Sequence, residues 1–148
     1  MKTTLDKATR DGLIKRVSSV HEHSPAQWGK MNAYQMIKHL RRWEELANGT
    51  LQAKRIFIGR IIGKLILKAV LKDEEPIRRN SPSAPETIVQ DASGDIAAEK
   101  AKFMELVNYN AANPIHGFVH PFFGKMTHQQ IGQLAYKHID HHLRQFNV

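Results

Sequence analysis

The most informative stretch of the chain reads Tyr136-Lys137-His138-Ile139-Asp140-His141-His142. His138 and His142 are four residues apart, about one turn of a helix, so both imidazoles project from one helix face. At about 100° per residue, that face also carries the apolar residues Ile131, Leu134 and Ala135. A buried imidazole needs a partner for its lone pair, and a metal ion is a common one. The pattern therefore predicts a metal site.

A third candidate ligand, His39, lies on a second amphipathic helix. Its apolar stripe is formed by Met36, Leu40, Trp43 and Ala47. His39 lies about 60° from Met36, on the flank of that stripe. Three neutral imidazoles would make an open site that leaves a position for water or substrate. The alternative is that His39 is a hydrogen-bonded core residue and that the other two histidines are partly exposed.

Composition narrows the kinds of site that are possible. The 148 residues suffice for one domain, and they include no cysteine. Disulfides, thiolate metal sites and a catalytic cysteine are therefore excluded. A metal held by histidines would be Zn²⁺, Ni²⁺, Fe²⁺ or Mn²⁺. The first residues lack the apolar run of a signal peptide, so we expect a cytoplasmic protein with no membrane span.

The chain is strongly basic, with 22 Lys and Arg against 14 Asp and Glu and a formal charge of +8. Such a balance raises the possibility of nucleic-acid binding. However, the basic residues are spread over several segments, and only 7% of residues are aromatic. We therefore expect no specific nucleic-acid binding, and a solvated basic surface that favours anionic substrates.

The spacing of apolar residues predicts five helices, over residues 4–22, 32–48, 51–72, 95–112 and from Thr127 onward. Asn32 with Gln35, and Thr127 with Gln130, have the spacing of capping boxes. No strand is predicted, and residues 73–94 form a long proline-containing connection. The expected fold class is all-α: one domain, residues 1–148, with a four-helix core and one additional helix.

The third segment, residues 51–72, is apolar around most of its circumference. Its charges form a narrow stripe at Arg60, Lys64, Lys68 and Lys72. It is too short and too charged to span a bilayer, which leaves deep packing, a dimer contact or a membrane surface. We expect burial within the fold or against a second copy of the chain, with Gly59 and Gly63 permitting close approach.

Several motifs together resemble the DinB/YfiT-like superfamily, and within it a bacterial subfamily of unknown function. They are Trp28, residues 32–40 with His39, the run His120-Pro121-Phe122-Phe123-Gly124-Lys125-Met126-Thr127, His138-x-x-x-His142 and Gln145-Phe146. The resemblance implies a four-helix bundle, often dimeric, with a divalent metal on His39, His138 and His142. Better-known relatives are thiol-dependent transferases and isomerases that use bacillithiol, mycothiol or similar thiols.

Few other side chains are placed to assist the metal. On the helical wheels Glu44 lies about 80° away, at the edge of the stripe, and is the only nearby carboxylate on the two ligand helices. His120 and His141 are candidate contacts to the substrate or to a ligand. The His-Glu-x-x-His motif of metal hydrolases is absent.

Two functions fit these residues. The first is a metal-dependent enzyme, in particular a thiol S-transferase acting on a small molecule, because a metal-bound thiol needs neither a protein cysteine nor a separate base. The second is a non-catalytic metal- or ligand-binding bundle. Both require the same three histidines, so the sequence does not separate them.

Overall fold

The computed structural model describes residues 1–148 and is mostly helical. Its helices are α1 (Lys7–Ser19), α2 (Ala33–Ala47), α3 (Phe57–Val70), α4 (Ile96–Ala112) and α5 (His128–Gln145). A 3₁₀ turn covers Pro85–Thr87, and the strands β1 (Val119–His120) and β2 (Gly124–Lys125) pair as a short antiparallel hairpin. The all-α prediction is confirmed, and five helices are present. The hairpin was not predicted, because two-residue strands are too short to show alternation.

The two helices that carry the candidate ligands begin where the sequence predicts. The Asn32 side chain accepts from the Gln35 backbone N–H at 2.9 Å, and the Gln35 side chain accepts from the Asn32 N–H at 3.0 Å. Thr127 and Gln130 form the same reciprocal pair ahead of α5. Each box satisfies two N–H groups that a helix start leaves unpaired, and so fixes the first turn.

Four helices, α1, α2, α4 and α5, share one apolar core. It is formed by Leu13, Val17, Val20, Ala33, Met36, Ile37, Leu40, Phe103, Val107, Ile139, Leu143 and Phe146. A second apolar cluster surrounds Trp43 and Leu134, and it includes Leu67 of α3. The ligand helices α2 and α5 contribute to both clusters, so their separation is set by packing on two sides.

Helix α3 lies outside the four-helix core, against the hairpin and α5. A Cβ atom on Gly59 or Gly63 would overlap the Phe122 carbonyl oxygen, so both glycines are needed for this close approach. The buried Lys137 of α5 donates to the carbonyls of Val70 and Asp73 at 2.6 and 2.9 Å, which satisfies the end of α3. These contacts fix one face of α3.

The opposite face of α3 is exposed, and the prediction of burial within the fold is wrong for a single chain. Phe57 is 75% exposed, and Ile61 and Leu65 are each 68% exposed. The helix is also shorter than predicted, because residues 51–56 have no regular secondary structure. No helix is both long enough and apolar enough to cross a membrane, as predicted.

Residues 73–94 pass over the middle of α2 and the C-terminal part of α5 rather than away from the fold. Lys38 holds the segment through an ion pair with Asp91 at 2.6 Å, and Arg42 donates to the Ile88 carbonyl at 2.6 Å. Thr87 and Val89, two residues of this segment, are buried. The long connection therefore forms part of the wall of the candidate site.

Candidate metal centre

The structure brings His39, His138 and His142 together. One ring nitrogen from each lies within 4.8 Å of the others. His39 comes from the second turn of α2, and the other two come from successive turns of α5. All three were predicted from helical spacing, and the packing of α2 against α5 supplies the contact that spacing alone does not give.

Hydrogen bonds on the outer side of the cluster orient two of the imidazoles. His39 Nδ1–H donates to the Thr87 carbonyl at 3.0 Å, and His142 Nδ1–H donates to Gln145 Oε1 at 2.8 Å. A neutral imidazole carries one proton, so in both rings Nε2 keeps its lone pair. Such outer partners fix the tautomer of metal-binding histidines.

His138 differs from the other two because nothing fixes its tautomer. Its Nδ1 is buried without a hydrogen-bond partner, and its Nε2 lies 2.9 Å from His39 Nε2. Since His39 Nε2 has a lone pair, His138 must either carry its proton on Nε2 and donate it to His39, or carry that proton on Nδ1 and offer its Nε2 lone pair to a cation. The residues present therefore fit a divalent cation held by three nitrogens.

Burial keeps the three rings neutral. Desolvation lowers the pKa of His39 and brings that of His142 down to about 3. The pKa of His138 is lowered well below its ordinary value, first by desolvation and then by the neighbouring His142 and His39 imidazoles. Neutral imidazole is the form that binds metal, so the ligands need not lose a proton to solvent at neutral pH.

The cluster lies on the wall of a cavity of about 370 Å³. Helix α3, Ile77, residues 81–84 and the hairpin form the other walls. A cation on the three histidines would thus have protein nitrogens on one side and the cavity on the other. Such a site leaves at least one coordination position of the cation open to the cavity.

The structure places His120 and His141 in the same cavity. His120 Nδ1 accepts from the backbone N–H groups of Phe122 and Phe123 at 3.1 and 3.2 Å, so its proton is on Nε2. Burial lowers the pKa of His120 to about 4, so this ring is a neutral donor. His141 Nδ1–H donates to the Ile77 carbonyl at 3.1 Å, which leaves its Nε2 as an acceptor.

Glu44 is not part of this site. Its carboxyl group is buried against α4, where Asn110 donates to Glu44 Oε2 at 2.7 Å, and it does not line the cavity. Desolvation raises the pKa of Glu44 to about 7. The wheel left Glu44 at the edge of the apolar stripe, and packing against α4 turned it away from the histidines. No carboxylate lines the cavity.

Three contacts to the imidazoles were not predicted from the sequence. They are made by the Gln145 side chain to His142, by the Thr87 carbonyl to His39 and by the Ile77 carbonyl to His141. Gln145 lies three residues after His142 on the same helix, a spacing that signals contact. It also donates from Nε2 to the Trp28 carbonyl at 2.7 Å, which holds its amide in place. The Thr87 carbonyl is at the end of the 3₁₀ turn and the Ile77 carbonyl is in irregular backbone, and no side-chain pattern in the sequence predicts either contact.

The fold and the cluster define an all-α protein with a candidate three-histidine metal site beside a cavity. The chain belongs to the family described as "Protein of unknown function (DUF1569)", whose model matches residues 1–148. No curated protein and no solved structure matches the chain.

We predict that the protein binds one divalent cation per chain, and that His39→Ala, His138→Ala and His142→Ala each abolish stoichiometric binding. Gln145→Met should weaken binding by about 10–100-fold, because it removes the acceptor that orients His142. Elemental analysis after dialysis measures the first effect, and competition with a chelating dye measures the second.

The matched control is His21→Ala, since His21 is exposed and outside the cluster. Its metal content should equal that of the unmodified protein. Equal metal content in the three ligand variants and the unmodified chain would refute the assignment.

Glu44 gives a pH prediction. Its pKa is 4.5 unfolded and about 7 folded, so between these values the folded chain keeps a proton that the unfolded chain releases. Its contribution to the free energy of unfolding is therefore complete below pH 4.5 and falls as pH rises through about 7. Glu44→Gln, measured without metal, should gain about 1–3 kcal/mol relative to the unmodified protein between about pH 5 and about pH 9.

The buried histidines also titrate, with the opposite sign, but they are common to both proteins and cancel in the difference. Glu105→Gln makes the same change on an exposed residue and should follow the unmodified protein at every pH. Parallel pH profiles for Glu44→Gln and the unmodified protein, from urea unfolding, would show that Glu44 is not protonated in the fold.

Proposed function

We propose that the protein is a metal-dependent enzyme acting on a small molecule, and that His39, His138 and His142 hold its cation. The observation that carries this proposal is the meeting of three neutral imidazoles at the wall of a cavity. A purely structural metal site would be closed by a fourth protein ligand. This favours an enzyme over a non-catalytic metal-binding bundle.

The reaction we propose is transfer of a low-molecular-weight thiol to an electrophilic substrate. A divalent cation would supply Lewis acidity there, lowering the pKa of a thiol and polarising a substrate oxygen. The chain has no cysteine to act as nucleophile, and Glu44, the one candidate base on the ligand helices, faces α4. An external thiol accounts for both facts, because it needs neither group from the protein.

The other cavity residues have roles in binding. The His120 Nε2–H group can donate a hydrogen bond to a polar atom of the substrate. The His141 ring, fixed by the Ile77 carbonyl and packed 5.1 Å from the His142 ring, supports the ligand cluster from the side. Neither ring needs to change its protonation state for these roles.

We also propose that the chain is related to the DinB/YfiT-like superfamily and acts in the cytoplasm. Support for the relationship comes from a shared core of four helices and from the ligand set on α2 and α5. Cytoplasmic low-molecular-weight thiols would be available to such an enzyme.

A second copy of the chain is the partner we propose for the exposed face of α3. Six large apolar residues of this helix are exposed: Phe57, Ile58, Ile61, Ile62, Leu65 and Ile66. Contiguous patches of this kind mark interaction sites. The acidic run 73–75 follows α3 and Lys54 precedes it, so an antiparallel two-fold pairing brings opposite charges together at both ends.

The thiol proposal predicts a spectroscopic change. Protein loaded with Co²⁺ should bind 2-mercaptoethanol and gain a sulfur-to-cobalt charge-transfer band in the near ultraviolet. The thioether 2-(methylthio)ethanol, which has no ionisable sulfur, should not produce this band. If thiols leave the spectrum unchanged while other small molecules alter it, thiol transfer is the wrong reaction.

The dimer proposal predicts that the protein sediments at twice the mass of one chain. Leu65→Asp should shift it to the monomer, because a carboxylate would be buried in the contact. Tyr109→Asp is the control, since Tyr109 is an exposed apolar residue of α4, away from this face. A monomeric unmodified protein would contradict the proposal.

A further inference from the structure

The walls of the cavity contain no Lys, Arg, Asp or Glu side chain. One wall is formed by α3, through Ile62, Ile66 and Val70. Another wall is formed by α2 and α5, through Trp43, Leu46 and Leu134. Apart from the imidazoles and the indole N–H of Trp43, the polar side-chain groups are the hydroxyls of Ser81, Ser83 and Thr87. The absence of charged side chains from the cavity walls contrasts with the formal charge of +8 on the whole chain.

The nearest basic groups are outside the cavity or already engaged. Arg55 donates to the carbonyls of His120 and Pro121 at 2.6 and 3.2 Å. The Arg79 guanidinium lies 4.1 Å from the centre of the Trp28 ring. Arg78 and Arg79 are exposed, on the segment that borders the cavity. A charged group inside the cavity, away from the cation, would therefore lose its hydration without gaining an ion pair, which is costly.

The polar contacts that the cavity offers are few and neutral. His120 contributes one N–H donor, and its orientation is fixed by two backbone N–H groups and by its ring, stacked 4.6 Å from Phe123. A ligand is thus recognised by one atom on the cation, by a few neutral polar groups, which are the His120 N–H, the His141 Nε2 acceptor and the hydroxyls, and by an otherwise apolar surface. Few, well-placed polar groups in an apolar cavity are typical of small-molecule sites.

We propose that the cavity selects an uncharged, largely apolar small molecule over one that carries a charged group. This inference rests on the proposed function for the role of the metal, but the apolar selectivity belongs to the cavity itself. The volume of about 370 Å³ fits such a molecule. The basic surplus of the chain therefore acts at the surface and does not define the ligand that reaches the metal.

A pair of thiols that differ in one charge tests the selectivity. Protein loaded with Co²⁺ is titrated with benzyl mercaptan and with 4-(mercaptomethyl)benzoate, following the sulfur-to-cobalt band. Benzyl mercaptan should bind at least about ten-fold more tightly, because the carboxylate of its partner finds no cation in the walls. Equal affinity, or tighter binding of the carboxylate, would overturn the proposal.

Two lysine substitutions on adjacent residues of α3 separate the cavity from the surface. Ile66 lines the cavity and is 38% exposed, whereas Leu65 does not line it and is 68% exposed. Ile66→Lys should reduce or reverse the preference for the neutral thiol by supplying a cation, and Leu65→Lys should leave it unchanged. An unchanged preference in Ile66→Lys would show that the charge is excluded elsewhere.

A measurement without metal distinguishes failure of this inference from failure of the proposed function. The neutral dye N-phenyl-1-naphthylamine should fluoresce in the cavity of the metal-free protein and be displaced by toluene but not by benzoate. If Co²⁺ is not retained but this selectivity holds, the metal-dependent function is wrong and the apolar site stands. If the dye does not bind, or both competitors displace it equally, the apolar site is wrong.

Discussion

The hydrogen bonds on the outer side of His39 and His142 are the constraint on which the site depends. Each Nδ1–H group is held by an oxygen atom, the Thr87 carbonyl in one case and Gln145 Oε1 in the other. Without these acceptors each ring could carry its proton on Nε2, and that nitrogen would then have no lone pair for a metal. The two bonds instead direct the Nε2 lone pairs of His39 and His142 inward. His138 Nδ1 has no partner, so a bound cation would fix the tautomer in which the third Nε2 lone pair also points inward.

These bonds link the site to the rest of the fold. The 73–94 segment is useful because its backbone supplies the Thr87 and Ile77 carbonyls to two histidines. Gln145 connects His142 to the link before α2 through the Trp28 carbonyl. Helix α3, held by its glycines and by Lys137, closes the cavity with aliphatic side chains. Neutral ligands in an apolar cavity leave a divalent charge uncompensated, which favours ligands that can lose a proton.

The parts of this arrangement that could be predicted are those with local signals. The caps at Asn32 and Thr127 and the three histidines follow from short-range spacing. The exposure of α3 could not be predicted, because a helix apolar on most sides does not show which neighbour covers it. The wheel placed Glu44 at the edge of the stripe, and only its burial beside Asn110 decided its direction. The acceptors from the 73–94 segment are backbone atoms, which leave no pattern in the sequence.

We propose that three histidine nitrogens hold a catalytic cation. X-ray absorption at the metal edge of the loaded protein reports on these ligands, because imidazole rings give a characteristic multiple-scattering signal. We expect scattering from three imidazoles together with at least one further light atom that is exchanged for sulfur when a thiol is added. A spectrum with one imidazole or none, or a shell of four protein ligands unchanged by thiol, would contradict it.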